Sequence, residues 1–78
     1  MHRDETIRRA FGDALRELRT RAGISQEKLA EKARLNRTYV GDVERGERNI
    51  AIVNIVKLCR ALGVRLSEFF RDVEKHLG

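Results

Sequence analysis

The sequence contains no proline, no tryptophan and a single cysteine among its 78 residues. With Cys59 alone no internal disulfide can form, and neither His2 nor His76 has a Cys or His at the spacing of a metal site. A chain of this length buries only about 60 to 65% of the surface that its unfolded state exposes. Small domains usually add a disulfide, a metal or a partner subunit. We therefore expect an oligomer that needs no cofactor.

Long apolar runs are also missing from the sequence. No stretch approaches the roughly 20 apolar residues of a membrane span, and the N-terminal segment MHRDETIRR lacks the apolar core of a secretory signal. We expect a cytoplasmic protein, where a lone reduced cysteine is ordinary. The sequence shows no nucleophile–base pair and no glycine-rich phosphate loop, so it does not predict an enzyme.

The charge and the apolar spacing indicate a basic, all-α domain. Lys and Arg number 17 against 12 Asp and Glu, and a net charge of +5 favours an anionic partner without identifying it. No window alternates apolar and polar residues with period two, and three glycines stand where helices should end. We predict one domain over residues 1–78, with helices at about 6–21, 25–33, 37–45, 51–62 and 66–76. The glycines are Gly23, Gly46 and Gly63.

Residues 25–45 predict a helix-turn-helix, two short helices joined by a turn at 34–36. On a helical wheel of the second helix, Val40 and Val43 face the core and leave the opposite face polar. A glycine within a helix costs up to about 1 kcal/mol relative to alanine, so we interpret Gly41 as a point of close approach by another surface. Arginine can pair with guanine, and threonine can contact a base edge. The polar face comprises Arg37, Thr38, Gly41, Asp42 and Arg45.

Many residues at fixed spacing resemble the Cro/C1-type (XRE-like) helix-turn-helix family. They are Arg19, Gly23, Ser25–Gln26, Leu29–Ala30, Leu35, Val40, Val43 to Gly46 and Ala61 to Val64. The resemblance covers roughly residues 11–70 and implies a five-helix, lambda-repressor-like DNA-binding domain. The run from Asn36 to Asn49 more narrowly resembles the controller proteins of restriction–modification systems, which are small dimeric regulators. Prophage repressors share much of that run.

The resemblance implies roles for individual residues in binding double-stranded DNA. Arg19 and Glu44 would form an ion pair between the first and third helices. Asp42 departs from the family pattern, since related repressors often carry a polar residue there; its carboxylate either accepts from cytosine or pairs with Arg45 at the rim of the interface. The expected base contacts are Arg37, Thr38, Tyr39 and Asp42, and the expected contacts with the DNA backbone are Ser25, Gln26, Asn36, Arg45, Arg48 and Asn49.

The last two helices, at about 51–76, are expected to serve the core and dimerisation. Ile50 and Val53 are apolar where the family pattern more often has proline and a polar residue, which adds exposed apolar surface. A two-fold dimer buries the same patch on both subunits. We predict an interface of Ile50, Val53, Val64, Leu66, Phe69 and Phe70. In the alternative, Phe69 and Phe70 both fold into their own core.

The sequence thus predicts a homodimeric, sequence-specific transcriptional regulator that acts on a palindromic operator and controls its own expression. Glu27 and Glu31 on the second helix are candidate contacts for RNA polymerase. Two alternatives stay open. One is an antitoxin-like or other protein-interaction module that uses the exposed apolar surface, and the other is a prophage-type repressor.

Overall fold

The computed structural model describes residues 2–78, which form five α-helices. These are α1 (Asp4–Ala22), α2 (Gln26–Ala33), α3 (Arg37–Glu44), α4 (Ile52–Leu62) and α5 (Leu66–Leu77). The described part of the chain contains no strand. The all-α prediction is confirmed, although α1 begins two residues earlier than expected. No helix within residues 2–78 is both long and apolar enough to cross a membrane.

Side-chain caps define where α2 and α3 begin. The Ser25 hydroxyl accepts a hydrogen bond from the backbone N–H of Lys28 at 3.0 Å, and the Asn36 side chain accepts one from the N–H of Thr38 at 2.7 Å. Each bond satisfies a backbone donor that the first turn of a helix leaves unpaired. Arg34 ends α2 in the left-handed conformation, with φ of 57°. The turn between the two helices is therefore short and fixed at both ends.

The predicted helix-ending glycines adopt the left-handed conformation that this role requires. Gly23, Gly46 and Gly63 have φ values of 72°, 73° and 71°. By contrast, Ala51 and Arg65 precede α4 and α5 without a side-chain cap, since neither side chain carries the short oxygen acceptor typical of caps. These two helices are held by packing.

All five helices contribute to one apolar core. α1 packs against α5 and α3, and α2 packs against α4 and α3. Cys59 is buried in this core, and desolvation raises the pKa of its thiol. The largest fully buried side chains are Leu15, Leu29, Val40, Val43, Leu58 and Phe69.

The prediction that Phe69 contributes to a dimer interface is wrong. Phe69 is 1% exposed, and its ring centroid lies 5.9 Å from that of Phe11 on α1. A side chain with so little exposed surface belongs to the core and cannot supply a free patch. The neighbouring Phe70 is 42% exposed. Phe69 therefore belongs to the core, while the Phe70 ring packs edge-to-face against it at 5.5 Å between centroids and keeps part of its surface exposed.

Gly12 brings the backbone of α1 directly against the C-terminal end of α3. A Cβ atom at this position would lie 2.8 Å from the carbonyl oxygen of Glu44, closer than non-bonded atoms approach. The glycine therefore allows a helix contact that no other residue permits at this separation. This contact helps to fix the position of α3.

Candidate nucleic-acid interface

The N-terminal end of α3 carries two exposed polar side chains, those of Arg37 and Thr38. Within residues 2–78, neither side chain forms a hydrogen bond or an ion pair; only the backbone N–H of Thr38 is engaged, by Asn36. Both residues were predicted to contact bases. A guanidinium and a hydroxyl without internal partners are available to a ligand at this end of the helix.

Tyr39 is half-buried and connects α3 to the segment before α4. Its hydroxyl accepts a hydrogen bond from the backbone N–H of Ala51 at 3.2 Å, and the guanidinium of Arg48 lies 5.2 Å from its ring centroid. That distance is typical of a cation–π contact. The predicted DNA contact by Tyr39 stays a prediction, and the structure adds a role in holding the α3–α4 connection.

Asp42 forms ion pairs with two arginines. One carboxylate oxygen accepts from Arg45 at 2.6 Å, and the other accepts from Arg48 at 3.4 Å. Arg45 also donates to Glu47 at 3.1 Å. Asp42 was expected either to accept from cytosine or to pair with Arg45. In the structure, which contains no DNA, it pairs with Arg45 and also with Arg48.

Gly41 is buried, which corrects its assignment to the outward face of α3. A Cβ atom there would lie 3.2 Å from the Arg45 guanidinium and 3.5 Å from the Gln26 side-chain oxygen. The surface that approaches Gly41 is therefore the protein's own. The missing side chain lets Arg45 fold back along α3 toward Asp42.

Glu44 joins α1, α2 and α3 through a buried carboxylate, with its side chain 2% exposed. Arg19 donates to its two oxygens at 2.6 and 3.1 Å, and Gln26 donates to one of them at 2.9 Å. The hydrogen bond to Glu44 raises the pKa of Arg19, so the guanidinium stays charged. The expected ion pair is present, and Gln26 braces the first turn of α2 against the end of α3.

The remaining predicted backbone contacts, Ser25, Asn36 and Asn49, are all exposed. A cleft at the start of α3 also includes Asn54 of α4, which the sequence analysis missed. The available signal was a polar residue on an otherwise apolar first half of α4. The cleft is lined by Leu35, Asn36, Thr38, Tyr39, Arg48 and Asn54.

A second surface feature is an apolar patch that differs from the predicted one. Ile7 on α1 and Ile52 at the start of α4 are 38% and 80% exposed. Two residues of the predicted interface, Ile50 and Val64, are instead packed partly against the core. This apolar patch consists of the exposed side chains Ile7, Ile52, Val53, Leu66 and Phe70. Ile7, Ile52 and Phe70 share one cleft with Phe11, Ile50 and Ile55.

The helix-turn-helix family model matches residues 15–69, more than half of the chain. The chain belongs to the Cro/C1-type helix-turn-helix family. Its relatives include restriction–modification controllers. Control protein C.MunI from Mycoplasma sp is 43% identical over 70 residues, which cover 88% of this chain and 95% of that protein.

Solved structures show the same fold. The restriction–modification controller protein C.AhdI from Aeromonas hydrophila is 54% identical, with a TM-score of 0.78 over 81% of this chain and 96% of that one. The controller protein C.Esp1396I is 30% identical, with a TM-score of 0.84 over 91% of this chain and 93% of that one. It was solved as a tetramer in complex with its natural 35 base-pair operator.

Residues 15–69, which match the family model, include every residue predicted to contact DNA, at 25–49. They also include the Arg19–Glu44 ion pair. Two members of the apolar patch, Ile7 and Phe70, lie outside this range. The helix-turn-helix and the patch are therefore partly separate features of the chain.

Proposed function

We propose that the protein is a sequence-specific DNA-binding transcriptional regulator, and more narrowly the controller of a restriction–modification system in the cytoplasm. It would act by binding alone, without enzymatic chemistry. The observation that carries this proposal is the pair Arg37 and Thr38 at the start of α3 in a member of this family: both are exposed, and their side chains have no hydrogen-bond or ion-pair partner among residues 2–78. Helix-turn-helix proteins present that end of the second helix to the major groove.

Under this proposal Arg37 and Thr38 set sequence preference, because base-edge contacts carry the sequence information. Tyr39 would contact DNA beside Arg48. The contacts that set affinity and its salt dependence come from residues around both helix starts and the α3–α4 connection. Those are Ser25, Gln26, Asn36, Arg45, Arg48 and Asn49.

We further propose that the apolar patch forms a two-fold dimer interface. Its five exposed side chains lie on α1, α4 and α5, and a two-fold axis would bury the same patch on each subunit. Two copies of α3 would then reach successive major grooves about 34 Å apart, and the operator would be palindromic. The tetrameric C.Esp1396I complex supports an oligomer on DNA.

Selection of bound sites from random duplexes tests the proposal. We expect enrichment of one palindrome whose half-sites are about one helical turn apart, and we expect that site upstream of the protein's own gene. Failure to enrich any sequence would contradict sequence-specific binding. Enrichment of a palindrome that is absent from that upstream region would leave a DNA-binding regulator but contradict autoregulation.

The apolar patch also favours one alternative, an interaction module for another protein. Ile52 is 80% exposed, which is unusual for an isoleucine on a small monomer. A monomer in solution that enriches no duplex would favour this alternative over the regulator.

A polymerase contact through the exposed acids Glu27 and Glu31 is a finer proposal. It predicts that Glu27→Gln with Glu31→Gln reduces transcription activation while operator affinity is unchanged.

A further inference from the structure

Asp42 lies in the second half of α3, at the opposite end from Arg37, and pairs with two arginines that follow the helix, Arg45 and Arg48. One carboxylate oxygen accepts a hydrogen bond from Arg45 at 2.6 Å, and the other accepts one from Arg48 at 3.4 Å. The Asp42 side chain is 20% exposed, whereas those of Arg45 and Arg48 are 55% and 52% exposed. The carboxylate is thus covered by the two guanidiniums, which themselves remain accessible.

Packing holds both arginines in these positions. Arg45 lies over Gly41, where a Cβ atom would come within 3.2 Å of its guanidinium. Arg48 lies over the ring of Tyr39, at 5.2 Å from the centroid. Asp42 is the residue that both arginines share, so its carboxylate sets where the two positive charges are presented.

The cluster is electrically neutral. Arg45 and Arg48 contribute two positive charges, and their partners Asp42 and Glu47 contribute two negative ones. Arg37, by comparison, makes no ion pair with the described residues. A neutral cluster attracts the DNA backbone weakly, because non-specific binding depends on cations that replace the counterions of phosphates.

We propose that Asp42 is a specificity-determining residue that acts through Arg45 and Arg48. It keeps both arginines partly neutralised until base contacts by Arg37 and Thr38 bring α3 close enough for phosphates to replace the carboxylate. On DNA without the operator sequence that replacement is incomplete. Asp42 is then a positioning residue and not a base contact. The inference rests on the proposed function, which supplies the phosphate contacts of the two arginines.

The test compares Asp42→Asn with the wild-type protein on the selected operator and on a random duplex, by fluorescence anisotropy over a range of salt concentrations. We expect the variant to bind the random duplex about three- to tenfold more tightly and the operator by a smaller factor, so that the ratio of the two affinities falls. The log–log salt slope on random DNA should steepen by about one, as for one additional phosphate contact.

Two matched variants isolate the role of position from that of charge. Glu47→Gln removes the same charge from the same cluster, but among residues 2–78 the Glu47 carboxylate pairs with Arg45 alone, and its side chain is 60% exposed. We expect it to change random-duplex affinity by less than about twofold. Asp42→Glu keeps the charge within reach of both arginines and should behave like the wild type.

A second measurement needs no DNA. Tyr39 is the only tyrosine and the chain has no tryptophan, so intrinsic fluorescence reports on the ring beneath Arg48. We expect Asp42→Asn to change that emission and Glu47→Gln to leave it unaltered. Identical emission from wild type and Asp42→Asn would show that Asp42 does not hold Arg48, and would overturn the proposal.

Two binding results would also overturn it. One is an Asp42→Asn variant that keeps its random-duplex affinity and loses operator affinity at one base pair only, which is the behaviour of a base contact. The other is an equal effect of Asp42→Asn and Glu47→Gln, which is the behaviour of net charge. If the wild-type protein selects no sequence, the proposed function fails, but the random-duplex comparison still tests Asp42.

Discussion

Arg19 donates hydrogen bonds to both carboxylate oxygens of Glu44, at 2.6 and 3.1 Å, and thereby ties α1 to the last residue of α3. The side chains are 15% and 2% exposed. Because the pair is sheltered from solvent, each charge depends on the other for stabilisation. Arg19 also donates to the carbonyl oxygen of Ile24, which adds the α1–α2 connection to the same network.

Removing one partner of this pair should be costly. We expect Arg19→Met to lower the free energy of unfolding by about 3–5 kcal/mol, because it leaves the Glu44 carboxylate buried with Gln26 as its remaining donor. Urea denaturation measures the change. The double variant Arg19→Met with Glu44→Leu should be closer to the wild type than Arg19→Met alone. A double variant less stable than the single one would contradict this account.

A methyl group at Gly12 should separate α1 from α3. Gly12→Ala places a Cβ within 2.8 Å of the Glu44 carbonyl oxygen, so the backbones must move apart. We expect a loss of about 1–3 kcal/mol in unfolding free energy. Asp13→Ala is the matched control, since Asp13 is the exposed next residue of the same helix. Equal stabilities of the two variants would show that the close approach is unimportant.

The apolar patch should control assembly. Ile52→Glu introduces a charge at the patch residue with the largest exposed fraction, 80%, and should shift a dimer to monomer because the charge would be buried in the interface. Sedimentation equilibrium at micromolar concentration measures the shift. Ala22→Glu is the control, as Ala22 is exposed and lies about 22 Å along α1 from Ile7. Loss of the dimer in both variants would count against this patch.

Glu17 should make stability depend on acidic pH. Its hydrogen bonds to Lys75 and His76 of α5, with Arg21 nearby, lower its pKa from 4.5 to about 2. A carboxyl group with a lowered folded-state pKa stabilises the fold fully above the unfolded value and loses that contribution as the pH falls from about 4.5 to about 2.

The corresponding variant is Glu17→Gln, examined by urea denaturation at several pH values. We expect it to be less stable than the wild type at pH 7 and the difference to disappear near pH 2. Glu74→Gln removes an exposed carboxylate of α5 that forms no ion pair with the described residues, and should show no such trend. A Glu17→Gln difference that is constant with pH would exclude the ion-pair explanation.

Much of the fold follows from local signals in the sequence. The glycines, the caps Ser25 and Asn36 and the apolar spacing are properties of neighbouring residues, so the five helices could be predicted within about two residues. The environment of Gly41 could not be predicted, because it depends on which rotamer the Arg45 side chain adopts. A helical wheel shows the direction in which each residue leaves the helix axis. It does not show a long side chain that folds back over its own helix.

The surface assignments were harder to predict for a related reason. Adjacent apolar residues such as Phe69 and Phe70 point in different directions by about 100° on a helix, and only the packing of α5 on α1 decides which ring is buried. Likewise Ile7 and Ile52 lie on apolar stripes that extend past the edge of the core. The Arg19–Glu44 pair was anticipated from the family resemblance, whereas the contact at Gly12 was not anticipated at all.

The central claim, that α3 reads DNA sequence through its first residues, is tested most directly by Arg37→Ala. The measurement is the affinity of wild type and variant for the selected operator, for operators changed at each base pair, and for a random duplex. We predict that discrimination at one base pair per half-site falls by about 1–3 kcal/mol while random-duplex affinity changes much less. An equal loss of affinity on the operator and on random DNA would contradict the claim.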